Sequence, residues 1–213
     1  MTGMKTHWEN VYDKHPLTDV SWYEPVPGTS LSIIKRFKLP KNAAIIDIGA
    51  GDSLLVDHLL LLGYSDITVL DISEKAIQRA KARLGDKEKM VKWVVCDVLD
   101  YHPSKKYDLW HDRATFHFFT TPEEKQRYLD SAHQNLKPDG YLVLSTFSLS
   151  GPEKCSGLPV EQYSEKKLSD MLARYFEKVR CITKAHITPW HAIQNFIYCS
   201  FKNRPLDTTA GLI

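Results

Sequence analysis

The 213-residue chain has few cysteines, and those it has follow no pattern. Cys96, Cys155, Cys181 and Cys199 make no C-x-x-C pair and no zinc spacing, so they are expected as reduced thiols in a cytosolic protein. Long apolar runs are missing too. The most apolar stretch, Leu54 to Leu62, is broken by Asp57 and His58 and is too short to span a bilayer. Met1 to Trp8 is polar and does not read as a signal peptide. Neither sign of charge is in excess: the net charge is +2, with the basic residues scattered, which argues against nucleic acid and acidic membranes as partners. With no repeat, low-complexity tract or linker, residues 1–213 are expected to fold as a single domain with a sizeable core.

What is present centres on Ile45-Ile46-Asp47-Ile48-Gly49-Ala50-Gly51-Asp52-Ser53. Apolar residues end in a carboxylate, two glycines follow, and a helical pattern begins: a strand, a tight turn and a helix start. Glycines there permit positive φ and close approach of a ligand to the backbone. Twenty residues past Gly51, Asp71 ends the run Ile67-Thr68-Val69-Leu70, where a carboxylate can take both hydroxyls of a ribose. The third glycine of G-x-G-x-x-G is missing, since Leu54 stands there. Asp47 and Asp52 would repel a pyrophosphate at the helix start. They suit a ligand carrying an ammonium and a sulfonium, which describes S-adenosylmethionine. The ordinary alternatives are a helix N-cap for Asp52 and a strand-end residue binding nearby amides for Asp47.

Five segments in order carry a family resemblance. Asp47-Ile48-Gly49-Ala50-Gly51-Asp52, Val69-Leu70-Asp71-Ile72-Ser73, Val95-Cys96-Asp97-Val98, Tyr107-Asp108-Leu109-Trp110-His111-Asp112-Arg113 and Leu136-Lys137-Pro138-Asp139-Gly140-Tyr141-Leu142 resemble successive motifs of class I S-adenosylmethionine-dependent methyltransferases, over about residues 40 to 147. Thiopurine-type and compact protein-lysine methyltransferases are both similar. The resemblance implies a Rossmann-like sheet of seven strands in the order 3-2-1-4-5-7-6, with S-adenosylhomocysteine as cofactor product. It places Asp47, Gly49, Gly51, Asp71, Ile72, Asp97 and Val98 at the cofactor, Asp97 at the adenine amino group. It also implies an N-terminal helix and loop folded over the cofactor, with Trp8, Tyr12 and Trp22 as walls. The Asn-Pro-Pro-Tyr or Asp-Pro-Pro-Tyr stretch of amide- and base-directed enzymes is replaced by His111-Asp112-Arg113-Ala114.

Periodicity predicts the elements. Leu31 to Phe37 reads as a helix stopped by Pro40, and strands are expected at Ala44 to Ile48, Ile67 to Leu70, Val91 to Val95, Tyr107 to Trp110 and Tyr141 to Phe147. Helices are expected from Ser53 to Leu62 with Gly63 closing it, after Ser73, from Thr121 as a capping box to Leu136, and after Ser164. Val179 to Ile187 and Gln194 to Phe201 should pair as a hairpin around Pro189. Alternating strands and helices predict an α/β fold: a mostly parallel sheet with helices on both faces and a C-terminal antiparallel hairpin. Residues 1–30 are expected as a lid over the active site, 148–162 as an acceptor-side insert and 202–213 as a loosely anchored tail.

Methyl transfer from a sulfonium needs alignment above all, and a base only where the acceptor arrives protonated. His111 and Arg113 are the catalytic candidates: His111 to orient or deprotonate an acceptor and also to touch the cofactor, Arg113 to bind an acceptor carboxylate or support the loop. The alternative is an Asp112–Arg113 structural pair beside a packed histidine. A metal set of His111, Asp112 and His117 lacks a second cluster, so no metal is expected. Phe116 to Phe119 could line the acceptor pocket or simply pack, and Pro189-Trp190-His191 is a rim candidate. The acceptor is read as a small molecule or a protein lysine. A non-catalytic S-adenosylmethionine-binding partner and a nicotinamide-dependent dehydrogenase are the alternative functions.

Overall fold

Ala44–Ile48 is buried at every position and becomes β1, from which the sheet grows on both sides. A strand covered on both faces needs apolar side chains pointing each way, which Ile45, Ile46 and Ile48 supply. The computed structural model describes residues 2–205. In chain order its elements are α1 (Thr2–Lys14), α2 (Gly28–Arg36), β1, α3 (Leu55–Leu61), β2 (Asp66–Asp71), α4 (Glu74–Leu84), β3 (Val91–Val95), β4 (Tyr107–Arg113), α5 (Pro122–Asn135), β5 (Leu136–Phe147), β6 (Lys154–Cys155), β7 (Leu158–Pro159), α6 (Glu165–Leu172), β8 (Phe176–Ile187) and β9 (Ile193–Asn203).

Seven strands form one sheet in the order β3-β2-β1-β4-β5-β9-β8, and β6 and β7 form a separate ribbon. β1 to β5 pair in parallel, while β9 runs antiparallel to both β5 and β8. Leaving out the ribbon, this is the order the resemblance implies, and the expected α/β Rossmann-like fold is borne out. Alternate β-strand residues feed two cores. Ile46, Trp110, Leu142 and Leu144 pack towards Tyr128 of α5 and Leu168 of α6. Ile45, Leu109 and Val143 pack on the other face towards Ile34, Leu59 and Ile77. The helix ends follow from local chemistry. Ser73 accepts a hydrogen bond from the Ala76 amide, and Thr121 and Glu124 form a reciprocal box around Pro122.

Several boundaries differ from the sequence reading. β4 continues past Trp110 to Arg113, because β1 pairs with it as far as Asp112 and β5 as far as Arg113. The turn at Pro138-Asp139-Gly140 is absorbed into β5 as an irregularity: Tyr107 pairs with Leu136 and Leu109 with Tyr141. The segment 148–162 contains the β6–β7 ribbon rather than loop alone. Lys202 and Asn203 belong to β9, and the buried Asn203 amide donates to the carbonyls of His133, Leu136 and Lys137. The expected tail therefore starts later, and residues 206–213 lie outside the described residues.

The cysteine expectation is corrected. Cys181 and Cys199 stand directly opposite each other in the β8–β9 register, Cα atoms 4.1 Å apart, and are joined as a disulfide. Cys96 and Cys155 are the free thiols. A spacing of 18 residues carries no signal by itself; the hairpin register brings the two together. Among the described residues, no helix is long and apolar enough to cross a membrane.

Candidate active site

The turn after β1 is shaped by what cannot be there. Gly49 and Gly51 have φ of +56° and +57°, and a Cβ on Gly49 would lie 1.9 Å from the Thr115 hydroxyl. The turn backs onto the end of β2, where Asp71 is held from two sides. Its Oδ2 accepts from the Gly51 N–H and its Oδ1 from the Ser73 N–H, each at 2.7 Å. Each oxygen keeps a lone pair for a further donor. Burial outweighs these two hydrogen bonds and raises the Asp71 pKa to about 6.

One cavity of about 500 Å³ lies outside the carboxyl ends of the strands. Asp47, Gly49, Asp71 and Ile72 line it from β1 and β2, and Asp97 and Val98 from the turn after β3. Trp8, Tyr12 and Trp22 line it from the N-terminal segment, and His111 and Arg113 from β4. The structure thus gathers the sequence-predicted residues around one space. Gly51 is the exception: it sits beneath Tyr12, whose hydroxyl would be 2.1 Å from a Cβ there. Asp97 Oδ1 accepts from the Leu99 N–H at 2.9 Å, the turn role weighed for it, and the residue still faces the cavity.

The roof is an aromatic cluster. The Trp8 ring centroid lies 5.8 Å from Trp22, 6.1 Å from Tyr12 and 5.4 Å from Phe118. Polar groups fasten α1 to α4. Glu9 accepts from the Glu74 and Lys75 amides and from the Ser73 hydroxyl, placing a carboxylate at the positive end of the helix. Arg79 donates to the carbonyls of Tyr12 and His15, each at 2.8 Å, and pairs with Asp52 at 3.1 Å. Asp52 is therefore neither N-cap nor ligand group: Leu54 occupies the N-cap position of α3, and burial raises the Asp52 pKa.

Asp47 and His111 are register partners on β1 and β4, and Asp47 Oδ1 lies 2.7 Å from His111 Nδ1. The other ring nitrogen, Nε2, lies 2.8 Å from Ser30 Oγ on α2. Both nitrogens are thus engaged, and direct proton abstraction from an acceptor by His111 does not fit this geometry. Arg113 supports the N-terminal segment. It donates to the Trp22 carbonyl and the Tyr198 hydroxyl, pairs with Glu24 at 3.3 Å, and lies 5.0 Å from the Phe196 ring centroid. Glu24 also meets His186 at 3.3 Å, tying the hairpin into the same cluster.

Asp112 faces away from its neighbours, as alternation along a strand requires. It accepts from the Tyr128 hydroxyl at 2.6 Å and from the Thr115 and Phe116 amides, and burial raises its pKa to about 6. The proposed Asp112–Arg113 pair is absent, and so is the metal set: among the described residues, no three His, Cys, Asp or Glu side chains gather as a metal site. His117 is fully buried against Phe118 and Phe147, and burial lowers its pKa to about 3, so it packs as a neutral ring. Trp190 is exposed at the hairpin turn and does not line the cavity, unlike Gln194 and Phe196 on β9. From the 148–162 insert, Cys155 reaches the cavity, its thiol raised to about 11 by burial. Sequence reasoning missed Ser30, Glu24 and Glu9, whose partners lie far along the chain.

Residues 46–142 match the family model of a methyltransferase domain, and over that span the resemblance to class I S-adenosylmethionine-dependent methyltransferases is borne out. The chain is 36% identical over 104 residues to malonyl-[acyl-carrier protein] O-methyltransferase 2 of Ilyobacter polytropus, covering 48% of this chain and 39% of that protein. It is 24% identical to human EEF1A lysine methyltransferase 2, covering 68% of this chain and 67% of that one. The chain spans half or less of the length of the first curated relatives it matches. The solved structure of Burkholderia thailandensis 1,6-didemethyltoxoflavin-N1-methyltransferase, with bound 1,6-didemethyltoxoflavin and S-adenosylhomocysteine, superposes with a TM-score of 0.68 at 20% identity, covering 96% of this chain and 85% of that chain.

Proposed function

We propose that this chain, with its methyltransferase domain, moves a methyl group from S-adenosylmethionine to an acceptor and releases S-adenosylhomocysteine. The observation that carries this reading is Asp71. It is a buried carboxylate, fixed by the Gly51 and Ser73 amides, that faces an aromatic-roofed cavity at the end of the sheet.

The residues fit this cofactor. Asp71 can take the ribose hydroxyls, and Asp97, Cys96 and Val98 can frame the adenine. The ring faces of Trp8, Tyr12 and Trp22 suit a sulfonium. The Gly49 turn admits the backbone approach that a side chain would block. When bound, the cofactor supplies a methyl group already on a good leaving group. The residues of this chain then have to align the acceptor, exclude water and take its proton. A dinucleotide fits less well, because Asp47 lines the cavity beside the turn after β1 and would repel its phosphates.

A small-molecule or protein-lysine acceptor is the reading we keep, since names of both kinds occur among the relatives. The acceptor would enter between the N-terminal lid and the insert, beside Arg113, Phe118, Phe147 and Phe196. We place the activity in the cytoplasm, without nucleic acid or membrane as partner.

Two measurements test the function. Calorimetry should show S-adenosylmethionine and S-adenosylhomocysteine binding more tightly than NAD; the reverse order overturns the cofactor. Tritium from methyl-labelled cofactor should pass into a component of a cell extract. Binding without transfer would favour a non-catalytic partner.

A further inference from the structure

Ser30, His111 and Asp47 come from three elements, α2, β4 and β1, and form one hydrogen-bonded chain. All three are buried and all three line the cavity. A carboxylate only accepts, so Nδ1 carries the hydrogen that faces Asp47. Nε2 is then the lone pair that receives the Ser30 O–H. A serine whose proton is committed to an imidazole, itself held by a carboxylate, has an oxygen ready to take a proton from elsewhere.

Building on the methyltransferase reading, the geometry points to Ser30 as the group through which the acceptor's proton leaves, with His111 and Asp47 as the relay behind it. The acceptor is then one whose nucleophilic atom arrives protonated: an alcohol, a thiol or an ammonium, and not a thioether or a tertiary amine. The step balances. The acceptor's X–H proton moves to Ser30 Oγ while the Ser30 hydroxyl proton moves to His111 Nε2. The X–H electron pair becomes the X–CH₃ bond, and the methyl–sulfur pair stays on sulfur. The positive charge lost from sulfur reappears on His111, beside Asp47. Nothing is oxidised or reduced.

The charged groups around the ring are Asp47 from β1, Glu24 from the segment before α2, and Asp112 and Arg113 on its own strand. Glu24 is paired with Arg113 and Asp112 is committed to Tyr128, which leaves Asp47 as the counter-charge for the imidazolium.

The test compares wild type, Ser30→Ala and Ser30→Thr. It follows tritium transfer from labelled S-adenosylmethionine into a cell extract, per folded molecule as judged by thermal denaturation. S-adenosylhomocysteine affinity is measured alongside. Ser30→Ala should lower transfer by about 10²-fold or more, with unchanged affinity. Ser30→Thr, which keeps a hydroxyl, should restore the rate. In ligand-free protein labelled with ¹⁵N-histidine, Ser30→Ala should shift the His111 Nε2 resonance and leave Nδ1 bound to Asp47. Ser30→Ala with wild-type rate, or an unmoved Nε2 resonance, overturns the relay. A wild-type protein that transfers no label overturns the methyltransferase reading itself, and the relay with it.

Discussion

Tyr12 lies over Gly51 so closely that a single added carbon at position 51 would stand 2.1 Å from its hydroxyl. The turn after β1 and the roof of the cavity are therefore one mechanical unit. Gly51 is required twice, once for its φ of +57° and once for the space that Tyr12 fills.

Gly51→Ala should separate these two demands. A left-handed alanine costs about 1–2 kcal/mol, which the domain should survive. The added methyl also pushes Tyr12 and α1 off the cavity, so S-adenosylhomocysteine affinity should fall at least tenfold, an order-of-magnitude expectation for a displaced ring wall. In a Tyr12→Ala background the same change should cost much less affinity. Simple additivity of the two losses would show that the contact is not what couples them.

In the proposed cofactor site, Asp71 introduces a pH dependence whose sign follows from its raised pKa. Its folded pKa of about 6 lies above the ordinary carboxylate value, so its contribution to stability is full below the unfolded pKa and is lost as pH rises through about 6. Asp112 shifts in the same direction but faces Tyr128, away from the cavity. Ribose hydroxyls donate to the ionised Asp71, so binding should weaken as pH drops below about 6, by up to about tenfold per unit. The rise in Tm on adding S-adenosylhomocysteine should thus be larger at pH 7 than at pH 5. Asp71→Ala should lower affinity at least tenfold and flatten this dependence, since hydrogen bonds to a charged group are worth about 1.5–3 kcal/mol each. An unchanged affinity would remove Asp71 from the ribose site.

Local chemistry was legible in the sequence and long-range chemistry mostly was not. β1 and β3 fall where alternation and apolar runs place them, and the Ser73 cap and the Thr121–Glu124 box depend on neighbours three residues away. Asp47 facing His111 could be anticipated because both end adjacent strands of a sheet whose order the motifs imply. Ser30 could not: its partner lies 81 residues away, and a serine early in an amphipathic helix looks like any solvent-facing one. Glu9 reads as a surface charge until α4 arrives beneath it. The Cys181–Cys199 pair needed the hairpin register, which turn residues around Pro189 indicate only roughly.

The cross-strand cysteines make a separable prediction. They close a loop already held by the β8–β9 ladder, so the bond adds stability without shaping the site. Closing a loop of this length is worth about 3 kcal/mol. Reduction, or Cys181→Ser with Cys199→Ser, should lower Tm by several degrees and leave S-adenosylhomocysteine affinity unchanged. The oxidised protein should show two titratable thiols after denaturation and four after reduction. Four thiols in unreduced protein would show that the opposed pair does not oxidise, and loss of affinity on reduction would place the hairpin's covalent link in the site.

We propose that the N-terminal segment acts as a lid, and Glu9 is the residue whose change tests it. Pro16 to Gly28 breaks the helix, so α1 is linked to the domain through a non-helical segment and held by side chains. Glu9 meets two amides and a hydroxyl at the start of α4, which also complements the helix dipole. The Glu74 and Lys75 contacts are solvent-exposed, so the whole clasp is worth about 1–2 kcal/mol after screening. The remaining hold comes from Arg79 and from the rings of Trp8, Tyr12 and Trp22, and those rings also wall the cavity. Ligand binding and lid docking therefore draw on the same contacts, and order gained by the lid is subtracted from the binding energy. Glu9→Ala should speed trypsin cleavage at Lys5 and Lys14 and weaken S-adenosylhomocysteine binding by roughly three- to tenfold, the part of the clasp that the ligand must then replace. Saturating S-adenosylhomocysteine should slow that cleavage in both proteins, and more in the variant. Removing residues 1–24 should abolish methyl transfer while the remaining domain keeps a cooperative unfolding transition. Cleavage rates indifferent to ligand would leave α1 as a permanently packed helix, and an active truncated protein would return Trp8, Tyr12 and Trp22 to ordinary packing.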